Sequence, residues 1–127
     1  MKKLLAALLA ALVLCGATLA QEAKKREQKQ FIYVLKLTPR LLDEKNWTGQ
    51  DKEIVGRHFR RLQQLHKEGR VLLAGRTLND SDPSQFGIVI FETASEEEAR
   101  AVMEADDAVK EKIMTAQLFP FGVALIK

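Results

Sequence analysis

The chain has 127 residues, of which 46% are hydrophobic and 29% charged, with one cysteine, two histidines and a formal net charge of +3. That length supplies one domain with one core, and a single thiol excludes a disulfide-stapled scaffold. The positive charge belongs to the N-terminal end: Lys2 and Lys3 account for two of the 20 Lys and Arg residues, and residues 21–30 hold four more against two acids, so the chain from Phe31 onward is near −1 and offers no basic face for nucleic acid.

Met1 to Ala20 has the three parts of a secretory signal peptide: Lys2 and Lys3, the apolar run Leu4 to Leu14, and Thr18-Leu19-Ala20 with a small residue at both positions a signal peptidase reads. The apolar run is too short to span a bilayer of about 30 Å. Cleavage before Gln21 is expected, delivering the protein to the bacterial periplasm or beyond, with no membrane attachment afterwards. Leu14 in front of Cys15 argues against lipidation, and cleavage removes this one cysteine. Gln21 to Gln30 then reads as a solvated, charged linker, and the domain proper occupies 31–127.

Phe31 to Leu37 is predicted to be a strand, ended by Thr38-Pro39. After a loop carrying Trp47, a helix from about Asp51 to Glu68 places Ile54, Val55, Phe59, Leu62 and Leu65 on one apolar stripe, and Gly69 supplies a C-cap. Val71 to Ala74 is a second strand, Asn79 to Ser84 a turn, and Phe86 to Phe91 a third strand. Asp80 and Asp82 have no further ligands at the spacing of a calcium loop, so the stretch is read as a turn. Ser95 with Glu98 forms a capping box for a second helix through Ala99, Val102 and Met103. The last strand is Thr115 to Ile126, and Pro120 within it requires a sheet edge or a bulge.

The order β-α-β-β-α-β is the ferredoxin-like pattern of an α+β domain with an antiparallel sheet. Two helices cover only one face of such a sheet. Yet Phe31, Tyr33, Leu35 and Leu37 alternate with Ile32 and Val34, and Phe86, Ile88 and Ile90 alternate with Val89 and Phe91, so both faces are apolar. A homodimer with two sheets packed face to face is the expected partner arrangement.

Without the cysteine, most nucleophilic and metal templates fall away. His58 and His66 lie eight residues apart on one helix, roughly 12 Å at 1.5 Å per residue, too far to share a metal. No glycine loop precedes a helix to cradle phosphate. His58 sits between Ile54 and Leu62 at helical spacing, which turns its ring toward the sheet. There it is either a core histidine with one hydrogen bond or a general base, which needs a carboxylate to orient it. Asp106 and Asp107, where the second helix stops, are solvated acids or that partner. Arg57 adjoins His58 and can reach an anion. Trp47 packs its loop or lines a pocket mouth.

The run from His58 to Gly75, HFRRLQQLHKEGRVLLAG, resembles the signature of the YciI family, in which a His opens a helix segment ending in Glu-Gly-Arg or Glu-Gly-Lys, followed by an apolar strand and Ala-Gly-Pro. Ser95 to Ala101 and Glu104 to Val109 are similar to that family's second helix and Ala-Asp-Pro motif. The resemblance covers Phe31 to about Val123. It implies a dimeric α/β barrel built from paired ferredoxin-like domains, an active-site dyad falling on His58 and Asp106, and lyase or isomerase chemistry without metal or cofactor. The alternative is a non-catalytic dimer that captures a small ligand. Arg76 stands where the family usually has Pro, and Asp107 where Pro follows the motif Asp, so either acid can face His58. Arg76 near the pocket favours an anionic organic substrate, or it is simply solvated. Arg57, Arg76, Tyr33 and Trp47 complete the set of candidate ligand contacts.

Overall fold

The computed structural model describes residues 26–127. The leader expected over 1–20 and the first half of the charged linker lie outside the described residues. In chain order come β1 (Lys29–Leu37), two 3-10 turns (Pro39–Leu42 and Glu44–Asn46), α1 (Gly49–Lys67), β2 (Val71–Arg76), β3 (Gly87–Thr93), α2 (Glu96–Glu104), α3 (Asp107–Lys110) and β4 (Met114–Pro120). The sheet runs β2-β3-β1-β4 with every pairing antiparallel. This is an α+β domain of the ferredoxin-like type.

Strand alternation explains where the core sits. Phe31, Tyr33 and Leu35 of β1 and Val89 and Phe91 of β3 point to the helix-covered face and are buried, joined there by Leu62 and Leu65 of α1 and Ala99 and Met103 of α2. Tyr33 meets Phe91 edge to face, with ring centroids 5.4 Å apart. A second cluster of Leu41, Ile54, Ala108 and Ile113 joins the first 3-10 turn, α1 and α3. On the opposite face, in register across the sheet, stand Leu73, Ile90, Ile32 and Phe119; Leu73 and Phe119 are each about half exposed.

The start of α1 is locked by polar groups. Thr48 Oγ1 accepts from the Asp51 N–H at 3.1 Å, and Asp51 accepts from the Thr48 N–H at 2.8 Å, a reciprocal capping box. Arg40 then forks onto Asp51 at 2.8 and 2.9 Å and also donates to the Asn46 carbonyl at 2.8 Å. At the other end, Gly69 takes φ +74, and the His66 ring pairs with the Val71 carbonyl at 2.9 Å, tying the end of α1 to β2.

Several boundaries differ from those read in the sequence. The second helix stops at Glu104, just before Asp106 and Asp107, and Asp106 caps a further short helix that the sequence did not announce, accepting from the Ala108 N–H. Phe86 precedes its strand, because Thr77 and Phe86 close the β2–β3 loop against each other through the Thr77 N–H and Phe86 N–H. β4 ends at Pro120, well short of Ile126, since its partner β1 begins at Lys29 and the register leaves almost nothing beyond Phe31 to pair with. β4 does lie at an edge, as Pro120 requires.

The Arg40 guanidinium holds the Asp51 carboxyl well below the usual carboxylate range, with the Thr48 N–H as the next contribution. A carboxyl depressed in the folded state adds stability that is complete above its unfolded value of about 4 and disappears as pH falls below it. Thermal unfolding followed from pH 7 to pH 2 is therefore expected to show a lower midpoint for Asp51→Asn at pH 7 and a flatter acid limb than the parent chain. Parallel acid limbs for the two proteins would show that Asp51 has no such role.

Candidate active site

The centre of the site is a carboxylate with no access to water. Asp106 is 0% exposed, and three groups from three elements converge on it. Tyr33 on β1 donates its hydroxyl to Oδ2 at 3.0 Å, the Ala108 N–H on α3 donates to Oδ1 at 3.0 Å, and His58 Nδ1 on α1 lies 2.7 and 2.8 Å from the two oxygens. A hydroxyl and an amide donate, so the carboxyl acts as acceptor, and the proton between it and His58 is placed on Nδ1. That assignment leaves Nε2 as the imidazole's lone-pair nitrogen; it makes no hydrogen bond among the described residues. The His58 side chain is 11% exposed, and that exposure opens into a cavity.

Tyr33 is buried at the middle of the sheet, and its phenol is held above its ordinary range, first by burial and then by the adjacent Asp106 charge. Arg61, one turn beyond His58, brings a guanidinium close enough to oppose part of that rise. The phenol stays protonated and remains a donor. Its function here is to hold Asp106.

The cavity has a volume of about 510 Å³, within the range of small-molecule sites. It lies between α1 and the β2–β3 end of the sheet. Leu35, Leu37, Val55, Leu62, Val89 and Met114 make apolar walls, with Trp47, Phe59 and Phe86 adding aromatic surface. Phe59 and Phe86 are 59% and 41% exposed, as residues at a mouth would be. The polar groups are His58, Arg76, Asp80 and Gln85. Such a lining is apolar over most of its area, with few groups able to make directed contacts.

Of the residues singled out in the sequence, His58 and Asp106 are brought together. Asp107 is turned away from His58: it accepts from Arg57 Nε at 3.2 Å, so Asp106 is the acid that faces the imidazole. Arg57 is occupied by Asp107 and Glu53 and does not line the cavity. Tyr33 does not line it either, being enclosed behind Asp106. Trp47 and Arg76 do, although the Trp47 indole N–H is spent on the Leu41 carbonyl at 2.8 Å, so it offers its ring and no donor. Asp80, Phe59, Phe86 and the Ala108 amide were not picked out. Phe59 carried a signal, standing next to His58 on a helix; the others depend on how the chain returns to α1.

A ferredoxin-like domain with a buried His–Asp pair opening onto an apolar cavity is the class that fold and site define. The chain belongs to the family of the YCII-related domain, whose profile matches residues 41–121 and so spans α1 through β4. Among solved structures it is similar to "uncharacterized protein TM1266 from Thermotoga maritima", at 11% identity and a TM-score of 0.44, covering 76% of this chain and 100% of that one. No curated protein matches.

Removing the Tyr33 hydroxyl deprives a buried charged acceptor of one donor, a loss of about 1–3 kcal/mol. Tyr33→Phe is expected to unfold at correspondingly lower guanidinium concentration at pH 8. A phenol raised in the folded state contributes stability fully below about pH 10 and loses it above. The parent chain should therefore converge on the variant as pH rises toward 11, and a constant gap between the two would contradict the burial of a protonated Tyr33.

Proposed function

We propose that this is an exported, cofactor-independent enzyme in which His58, oriented by Asp106, takes a proton from a carbon next to a carbonyl of a small, largely apolar, anionic substrate. The observation that carries the reading is the contact of His58 Nδ1 with both oxygens of the buried Asp106, which leaves Nε2 on the cavity side. In the step, the C–H bond breaks and Nε2–H forms. The electron pair then either expels a group from the neighbouring carbon, forming C=C, or delocalises onto the carbonyl and is reprotonated at another carbon. The first course is a lyase reaction and the second an isomerase reaction. The imidazolium formed is stabilised by the Asp106 carboxylate at 2.7 Å, and the apolar walls strengthen that attraction by excluding water. Arg76 on the lining favours an anion. Export rests on the leader motif at Met1 to Ala20.

Proton abstraction is testable before the natural substrate is known. In D2O, NMR follows loss of the proton next to the carbonyl across aryl-substituted keto acids and unsaturated lactones. The expected result is exchange that falls by about 10²–10⁴-fold in His58→Gln and in Asp106→Asn. Exchange that persists at the parent rate in His58→Gln sinks the proposal. A panel member that binds in the cavity with no exchange at all favours the alternative of a non-catalytic ligand-binding domain.

The same proposal includes a homodimer through the face carrying Ile32, Ile90, Leu73 and Phe119, which α1 and α2 leave uncovered. Sedimentation of the protein without its leader should give twice the monomer mass, and Ile90→Glu should give the monomer mass with the far-UV spectrum retained. A monomeric parent protein at micromolar concentration would remove the dimer from the proposal.

A further inference from the structure

The charged side chains on the cavity lining are Arg76 and Asp80, and they are paired with each other. Arg76 Nη1 donates to Asp80 Oδ1 at 2.5 Å and to the Thr77 carbonyl at 3.2 Å. Nε and Nη2 donate to no described residue, so the pair uses one corner of a guanidinium built to grip a carboxylate with two parallel hydrogen bonds. Both partners are more than half exposed, 56% and 68%, a setting in which an ion pair is weak and exchangeable.

Local structure keeps both groups at the rim. Arg76 is the last residue of β2, opposite Gly87 of β3. Gly87 lines the cavity, and a Cβ there would lie 3.4 Å from the Gly75 carbonyl, 3.7 Å from Leu35 Cβ and 3.9 Å from Arg76 Cβ, so the glycine leaves open the space next to Arg76. Asp80 sits in the loop that Thr77 and Phe86 close and that an Asn79–Ser84 hydrogen bond braces. The acid is presented to Arg76 by a built turn.

We infer that the cavity receives a small aromatic monocarboxylate whose carboxylate is bound by Arg76 in competition with Asp80, so that Asp80 sets the affinity of the site. This rests on the proposal that the His58 cavity is where substrate binds, and it deepens that proposal. The aromatic part follows from Trp47, Phe59 and Phe86 on the lining, and the single negative charge from the single guanidinium. With Asp80 in place the rim is neutral overall. An entering carboxylate must displace Asp80 or share Arg76 with it, and a neutral ligand forms no ion pair with either residue and so depends on them far less.

The test uses the folded protein without its leader and two probes of one shape, 1-naphthylacetate and 1-naphthylacetamide, with affinities from calorimetry and the His58 ring followed by NMR. Asp80→Asn is expected to bind the carboxylate about tenfold more tightly than the parent and Arg76→Gln about tenfold more weakly. The amide should change less than twofold in either variant. Retained thermal midpoints would show that both variants fold, as expected for an exposed pair. Carboxylate affinity that is indifferent to Arg76→Gln, or unchanged by Asp80→Asn, overturns the inference. If the amide still binds and moves the His58 resonances, only the role of Arg76 and Asp80 is lost. If neither probe moves the His58 ring in the parent protein, the inference falls together with the proposal that the His58 cavity binds substrate.

Discussion

A carboxylate with no exposure to water is tolerable only where its oxygens are satisfied, and Asp106 meets that condition by drawing on three separate elements. Tyr33 must be at the middle of β1, His58 on the sheet-facing side of α1, and the Ala108 amide at the first turn of α3. Each depends on its neighbours. Tyr33 is placed by its registers opposite Val89 and Leu118 and by its edge-on contact with Phe91. α1 is fixed at its start by the Arg40–Asp51–Thr48 cluster. α3 exists as a separate helix because Asp106 caps it. Removing one donor leaves the remaining groups buried around an incompletely satisfied charge, so a site of this kind specifies its own geometry.

The cavity is built on a different logic. Where Asp106 draws donors from three elements, the cavity walls are mostly apolar, and the ionisable groups stand at two places: the His58 edge and the Arg76–Asp80 rim. Burial strengthens the first interaction and solvent weakens the second. An imidazole held by a shielded carboxylate keeps its orientation whether or not a ligand is present, which suits proton transfer. An ion pair at the rim is free to exchange partners, which suits recognition.

Much of the fold was legible because periodicity reports burial directly. The alternation of Phe31, Tyr33 and Leu35 with Ile32 and Val34, and the stripe from Ile54 to Leu65, locate β1 and α1, but both faces of β1 read as apolar, and which of them the helices cover comes from the structure. Breaks in structure were less legible. The capping signal Thr48-x-x-Asp51 is a variant of the more familiar pattern ending in Glu, and it moved the start of α1 back to Gly49. At Asp106 two roles coincide, cap and buried partner, and neither leaves a periodic trace. The β4 end followed from the length of its partner strand, which no reading of Val123, Leu125 and Ile126 alone could supply. Tyr33 shows the limit most clearly. Its place in the alternation put it on one of two apolar faces, and whether its hydroxyl meets a ligand or a protein carboxylate depends on Asp106, 73 residues away.

A proline and a glycine at opposite ends of the sheet help to place the site. Pro120 at the end of β4 pairs with Phe31 across an edge, where a missing N–H costs no ladder bond on the outer side. Gly87 lies at the other end of the sheet, on the core face, where any side chain would project between Leu35 and Arg76. One residue closes an edge and the other opens a void, and the void lies on the side where α1 presents His58. A side chain such as Val at Gly87 would make β3 a better strand by propensity and pack the sheet more fully. It would also occupy the cavity space next to Arg76. The glycine at this position therefore trades strand propensity for open space beside Arg76, on the side of the sheet that α1 covers.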